Sequence, residues 1–476
     1  MTTPVTDSGL TDSDEQRWRA MLEWLKGHGM LIDEDHLLVR PKHVADAGNG
    51  LFAIVDIPRQ SPLFTLPSKT KINAETLGHY PRSELLTATQ LMSLHLLLHR
   101  PVDGHESDDP NFGPYISMLP RDFGSHPLTW VVHQSLGVAS REECKVMDLM
   151  PPSVLAELLL LEKRFRTDWE AVRQYLDNLP ELSQQRRSKG VHSELILDFM
   201  WGWINVNTRC LYDDLGLDKD DNMSLCPVFD FANHAWFQPT MEPLREGESE
   251  NWQVERRSPG ERGNLDLVCV SCDRGIARDQ EVTLRYGWHP NRTLFVEYGF
   301  VNAIKPEEFM SGVYPGEVNV QDIVTDLLDQ QGDAGTFVKK TLDAEGYWGD
   351  WTFHSSPSPA HASFRLITAL RLYHTFPTRP DFGGAVSENG MNTASRAWRD
   401  TIMGYTDDIS EANEKACGET IREICRKVIE RAEIGLKCVK EGEEGGGGWY
   451  SKSLGIVEQL WTEELWVARA VLLKLS

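Results

Sequence analysis

Apolar positions along the chain change their period several times. Trp18, Met21, Leu22 and Leu25 recur at helical spacing behind a Ser13/Gln16 capping box, and Gly27 and Gly29 end the run, which predicts a helix over 13–26. Residues 1–12 are polar and acidic and are expected to be disordered. Between about 37 and 66 the runs LLVR, GLFAIVDI and PLFTL are short, β-prone and broken by Pro and Gly, so strands are expected there. From about 75 to 205 the pattern is helical again, as in LLTATQLMSLHLLLH and PSVLAELLLLEKRF. Short strands return between 225 and 286, with a hairpin expected from 251–257 and 265–271 around SPGERGN. Beyond about 304 the chain is helical once more, with Ile421, Ile424, Cys425, Val428, Ile429 and Ala432 on one face. EGEEGGGG at 441–448 is a flexible loop by composition.

These elements describe an α+β protein. A β-rich domain over 13–302 is split by a helical insertion at about 75–205, and an all-helical lobe follows at 303–476. The 476 residues carry 48 Lys and Arg against 72 Asp and Glu, a net charge of −24. That balance repels phosphate backbones and favours basic protein segments as partners, so nucleic acid is excluded as the main target. No run reaches the roughly 18 apolar residues of a membrane span, and MTTPVTDSGLTDSDEQ is neither a signal nor a transit peptide. The eight scattered cysteines fit reduced thiols, which places the protein in the cytoplasm and/or nucleus, where the sequons at Asn222 and Asn291 are decoys. The oligomeric state stays open.

Four segments carry candidate chemistry. Asp46-Ala47-Gly48-Asn49-Gly50 precedes a β-prone run rather than a helix, so it is a turn that lets a backbone approach a ligand, not a nucleotide motif. In Asn205-Val-Asn-Thr-Arg209-Cys210-Leu211, an arginine in apolar surroundings calls for an anion, either a ligand or a structural carboxylate. Val228-Phe-Asp230-Phe-Ala-Asn233-His234 clusters hydrogen-bonding side chains among apolar ones. Two Tyr-Gly pairs, Tyr286-Gly287 and Tyr298-Gly299, flank Asn291.

Two other patterns suggest metal without its full signature. Cys269-Val-Ser-Cys272 lies on a predicted strand and has no second pair, and His95-Leu-Leu-Leu-His99 lacks the internal glutamate of a zinc protease. The first reads as a structural strand pair and the second as a helix face, and no metal is expected.

The ordered set GNGLFAIVDI, FGPYISMLP, NTRCL, FDFANH and LRYGWHPNRTLFVEYGF resembles the SET-domain methyltransferases, specifically the branch of plant Rubisco large-subunit lysine methyltransferase. The resemblance covers roughly 37–302 and extends more loosely into the C-terminal lobe. It implies a SET domain with small sheets, a knot-like C-terminal crossing and a helical insertion, followed by a lobe that docks substrate. It also implies methyl transfer from S-adenosyl-L-methionine to a lysine of a protein substrate.

By the same resemblance Ala47, Gly48, Asn49, Gly50, Arg209, Asn233 and His234 bind the cofactor. Tyr286 is the catalytic tyrosine, Tyr298 lines the target-lysine channel and Asp230 lies on its substrate side. The chain departs from the family's turns at Pro58-Arg-Gln-Ser61 and Asp279-Gln-Glu281, and carries Pro239-Thr240 and EPLREGESE after Asn233-His234. A histidine acceptor, and a non-catalytic adaptor that binds a basic protein, are the alternatives.

Overall fold

Thr11 caps the first helix, Asp12–Gly27, by accepting from the Asp14 N–H, and Trp18, Met21, Leu22 and Leu25 are its buried face. The computed structural model describes residues 11–31, 37–44, 48–102, 104–179, 181–182, 195–244, 263–376, 395–442 and 448–475. The chain divides into two compact units, Met1–Gly124 with Glu162–Trp288, and Ser125–Leu161 with His289–Ser476.

In the first unit, strands from both sides of the helical insertion build one sheet. β1 (Val39–Val44) and β2 (Gly48–Ala53) precede the insertion; β6 (Asn233–His234) and β9 (Glu281–Leu284) follow it, in the order β1-β2-β9-β6. β2 pairs antiparallel with β9, placing Leu51 opposite Val282 and Phe52 opposite Glu281. β6 runs parallel to β9, with Asn233 opposite Thr283 and His234 opposite Leu284. A second sheet orders β3 (Pro62–Leu66), β8 (Leu267–Ser271) and β7 (Met241–Pro243), and β4 (Leu211–Tyr212) pairs with β5 (Met223–Ser224). The predicted strand at 251–257 lies outside the described residues; the one at 265–271 appears as β8, between β3 and β7.

The insertion contributes the capping-box helix Ala88–Leu98, almost wholly buried, which packs on Leu195–Arg209. Asp168 ties the layer together, accepting from the Gln90 amide and from the Trp203 indole, each at 2.8 Å. Hydrogen bonding of that kind satisfies polar groups that burial strips of water.

The second unit is mainly helical, and two long helices, Glu411–Gly442 and Gly448–Lys474, pack along each other. Ile421, Ile424, Cys425, Val428 and Ala432 are buried as their spacing requires, and Ile429 is half-buried. The predicted all-helical lobe is corrected in one respect: it also holds a three-stranded antiparallel sheet of β10 (Glu317–Asn319), β11 (Thr352–His354) and β12 (His361–Ala362). Strands of two or three residues are too short to print an alternating pattern on the sequence. What holds them is Val318, Trp351 and Phe353, buried in the core of this unit. Residues 1–10, and 443–447 of the glycine-rich stretch, lie outside the described residues. Among the described residues no helix is long and apolar enough to cross a membrane.

Candidate active site

β9 ends one residue before Arg285 and delivers Tyr286 beside the end of β6. The Tyr286 N–H donates to His234 Nδ1 at 3.1 Å, its hydroxyl donates to the Ala232 carbonyl at 3.0 Å, and the two rings lie 5.2 Å apart. The parallel β6–β9 pairing makes this possible, and the Ala235 N–H extends it to the Leu284 carbonyl at 2.9 Å.

The approach to β6 is strained. Val228 holds φ +68° and ψ −49°, and the Phe229 N–H reaches the Pro227 carbonyl at 2.8 Å, closing a γ-turn of the positive-φ kind. A β-branched residue in that region costs on the order of 1–3 kcal/mol, and buried packing of Val228 (0 % exposed) sustains it. The turn sets the direction of Phe229–Phe231, and so the start of β6.

Three residue groups meet in this unit. Gly50 sits where a Cβ would lie 2.7 Å from Glu281 Oε1 and 2.8 Å from both Asn233 Nδ2 and Val44 Cγ2, so only glycine fits without displacing them. Asn233 Nδ2 donates to Glu281 Oε1 at 2.7 Å. Gly48 has φ +76° and open space where a side chain would stand, and Asn49 pairs with His43 across the β1–β2 hairpin. Ala47 lies outside the described residues.

The second group is Arg209, Asp230 and Tyr115. Arg209, the last residue of its helix, donates to the Asp230 carbonyl at 2.9 Å and to Asp230 Oδ2 at 3.2 Å. The Tyr115 hydroxyl donates to the same Oδ2 at 3.0 Å. Burial pushes the Asp230 carboxyl above its usual range while Arg209 holds it down, and burial, reinforced by Asp230, pushes the Tyr115 phenol up. Arg209 thus has the structural carboxylate that its apolar setting calls for, and the Asp230 side chain is fully buried behind it.

The third group is the Tyr286–His234 pair described above. Tyr298 belongs to the second unit, at the end of Asn291–Tyr298, half-buried with its ring 6.3 Å from His289 and 6.1 Å from Phe300. Asn291 is buried there, donating to the Asn302 carbonyl and the Tyr314 hydroxyl.

The sequence assigns no role to Glu281 or Tyr115. Each lies in a quoted segment, but its partner is 48 or 115 residues away, and no spacing rule connects them. Trp288, 74 % exposed, also went unassigned; the Arg285 guanidinium lies 4.0 Å over its ring. A large exposed aromatic two residues from Tyr286 is itself a usable signal of a contact surface.

No family model matches the chain. Ribosomal lysine N-methyltransferase set11 of Schizosaccharomyces pombe is 24% identical over 455 residues, spanning 95% of this chain and 97% of that protein. SET domain-containing protein 4 of Homo sapiens is 25% identical over 476 residues, spanning 97% and 92%. Among solved structures, the SET domain of LSMT bound to lysine and AdoHcy matches with a TM-score of 0.61 at 16% identity, covering 97% of this chain and 91% of that one. Rubisco LSMT bound to AdoMet matches with a TM-score of 0.60 at 17% identity, covering 98% and 92%. The chain has the fold of these SET domains over nearly its whole length, and in sequence it resembles the branch that its motifs point to.

Proposed function

We propose that this chain is an S-adenosyl-L-methionine-dependent protein-lysine N-methyltransferase with Tyr286 as its catalytic residue. The observation that carries the proposal is the parallel pairing of β6 with β9, which locks Tyr286 against Ala232 and His234 beside the Asn233 amide. The fold and the named relatives support the same reaction class.

The residues present suit the cofactor. Gly48 has open space above its Cα, and the missing Cβ at Gly50 leaves the Asn233 amide and Glu281 carboxylate in contact. Ala47, Gly48, Asn49 and Gly50 would hold the cofactor through their backbone, and Asn233 and His234 largely through backbone and amide contacts. Arg209 acts at the rim, through its grip on the Asp230 carbonyl. When bound, S-adenosylmethionine supplies an electrophilic methyl on a sulfonium.

The protein's task is alignment, since an in-line displacement needs the amine on the axis of the bond that breaks. A lysine amine titrates at about 10.4 and must attack neutral, which an apolar channel favours by penalising its charged form. The Tyr286 proton is committed to the Ala232 carbonyl, so toward an incoming amine the phenol oxygen accepts an N–H. That fixes one direction of the nucleophile with a dipole already in place. Asp230 and Tyr115 support the lysine channel from behind its wall, and Tyr298 and the lobe at 303–476 bind the protein substrate. A net charge of −24 favours a protein substrate with a basic segment around the target lysine. All eight cysteines are thiols, which suits the cytoplasm and/or nucleus.

The test is transfer of labelled methyl onto a cell extract by the wild type and by Tyr286→Phe, with cofactor affinity measured by calorimetry. The expected result is labelled bands for the wild type, a fall of about 100-fold or more for the variant, and nearly equal cofactor affinity. Mass spectrometry of the bands then reads methyl-lysine. A wild type that neither labels protein nor binds the cofactor overturns the proposal.

A further inference from the structure

Outside the methyl-transfer site, His95, His99 and Asp109 converge in the interior of the first unit, with their ligating atoms all within 4.8 Å of one another. His95 is on the Ala88–Leu98 helix, His99 is its C-cap, and Asp109 comes from the loop that leads into Gly113–Ile116. All three are buried. We propose that these three side chains bind one divalent cation of the zinc class, with water in the fourth position.

The first argument is the ring orientation. His99 Nδ1 lies 3.3 Å from Asp108 Oδ1 and Nε2 lies 3.4 Å from Asp109 Oδ2; in the tautomer that donates to Asp108, the Nε2 lone pair is the atom offered to a cation beside Asp109. In the tautomer whose Nδ1–H donates to the Tyr80 hydroxyl oxygen at 2.9 Å, His95 offers its Nε2 lone pair 3.5 Å from the same Oδ2. Oxygen partners on the far nitrogen of each histidine are the arrangement that orients metal-binding imidazoles.

The second argument is distance. His95 Nε2 is buried without a hydrogen-bond partner among the described residues. A proton shared with Asp109 would draw nitrogen and oxygen to roughly 2.7–3.2 Å. Two ligands each about 2.05 Å from a tetrahedral cation stand about 3.4 Å apart, which is the spacing seen here. Two imidazoles and one carboxylate suit zinc or cobalt better than calcium or magnesium, which take oxygen.

The third argument is what the cation would hold. Asp109 Oδ1 accepts the backbone N–H groups of Asn111 and Phe112, so this carboxylate both starts the Gly113–Ile116 turn and offers its second oxygen to the site. The Phe112 ring meets His95 edge-on at 5.7 Å. A bound cation would therefore pin the Ala88–Leu98 helix to the segment that carries Tyr115.

The test uses the full-length protein, stripped with a chelator, then titrated with ZnCl2 by calorimetry and with CoCl2 by visible absorption. The expected result is one submicromolar zinc equivalent, cobalt bands of tetrahedral intensity, and a melting temperature raised by zinc. Asp109→Asn and His99→Gln should each weaken zinc binding at least tenfold, whereas Cys272→Ser should not change it. Asp108→Ala, at a side chain 57% exposed, removes the acceptor of the His99 Nδ1–H and should weaken it by about tenfold through loss of the His99 orientation. A folded wild type that binds no zinc at tens of micromolar overturns the proposal, as does binding that Asp109→Asn and Asp108→Ala both leave intact.

Discussion

The backbone N–H of Tyr286 donates to the ring of His234, not to a carbonyl, across 3.1 Å. A backbone N–H can only donate, so Nδ1 of His234 is unprotonated and its ring proton sits on Nε2. The position of the tyrosine proposed as catalytic therefore depends on a side chain of the neighbouring strand, β6. His234→Phe keeps a ring against Tyr286 but leaves this N–H without its acceptor, at a cost of about 1–3 kcal/mol. His234→Asn offers an amide oxygen near the Nδ1 position and should recover part of the loss. Single-turnover methyl transfer should fall at least tenfold in His234→Phe and less in His234→Asn. Equal loss in both variants would separate the ring from the positioning of Tyr286.

The two glycines of the first turn make opposite predictions. At Gly50 a methyl would land on Glu281 Oε1 and Asn233 Nδ2, forcing those side-chain ends apart and breaking their hydrogen bond. Gly50→Ala should weaken S-adenosylmethionine binding about tenfold or more, read by calorimetry. Gly48→Ala meets nothing within 4 Å and carries only the strain of φ +76°, on the order of 1 kcal/mol. It should lower the urea midpoint slightly and leave cofactor affinity within a few-fold.

Arg209 and Asp230 form a buried pair in which each is the other's reason for tolerating burial. Arg209→Met strands the Asp230 carboxylate, which already has one oxygen, Oδ1, without a partner among the described residues. Breaking such a pair from one side costs about 3–5 kcal/mol. Asp230→Asn added to Arg209→Met removes the stranded charge and should restore at least half of that loss. Urea unfolding of the two single variants and the double variant checks the cycle, and strict additivity would mean that the pair is not coupled.

How much of this was legible follows the range of each interaction. The split sheet is readable because short β-prone runs lie on either side of the helical patterning, and the ordered motifs name the branch. Tyr286, Asn233 and His234 were singled out before their contacts were visible. Glu281 was read as part of a turn, because its bond to Asn233 spans 48 residues. The Arg209 alternatives stood open until Asp230 was seen beneath its guanidinium. The positive φ of Val228 contradicts the preference of a β-branched residue and leaves no trace in composition. His95 and His99 read as a helix face because Asp109, which closes the group, sits on a loop outside the helical repeat.

In the second unit, stability should depend on pH through Glu463. This carboxylate accepts from the Glu317 N–H at 3.0 Å and the Tyr314 hydroxyl at 3.0 Å, and burial pushes its pKa up to about 7. In the unfolded chain it returns to the usual carboxylate range, so between about pH 4.5 and 7 the folded state holds a proton that the unfolded state releases. With fewer protons bound on unfolding, stability falls as pH rises through that window and levels off above about 7. A rise from 4.5 to about 7 corresponds to about 3–4 kcal/mol at most. Glu463→Gln is neutral at every pH and keeps an oxygen for the Glu317 N–H, so it should match the wild type near pH 5 and melt several degrees higher at pH 8. Melting curves across pH 4.5–8.5 check this, and parallel curves for the two proteins would assign the slope to other groups.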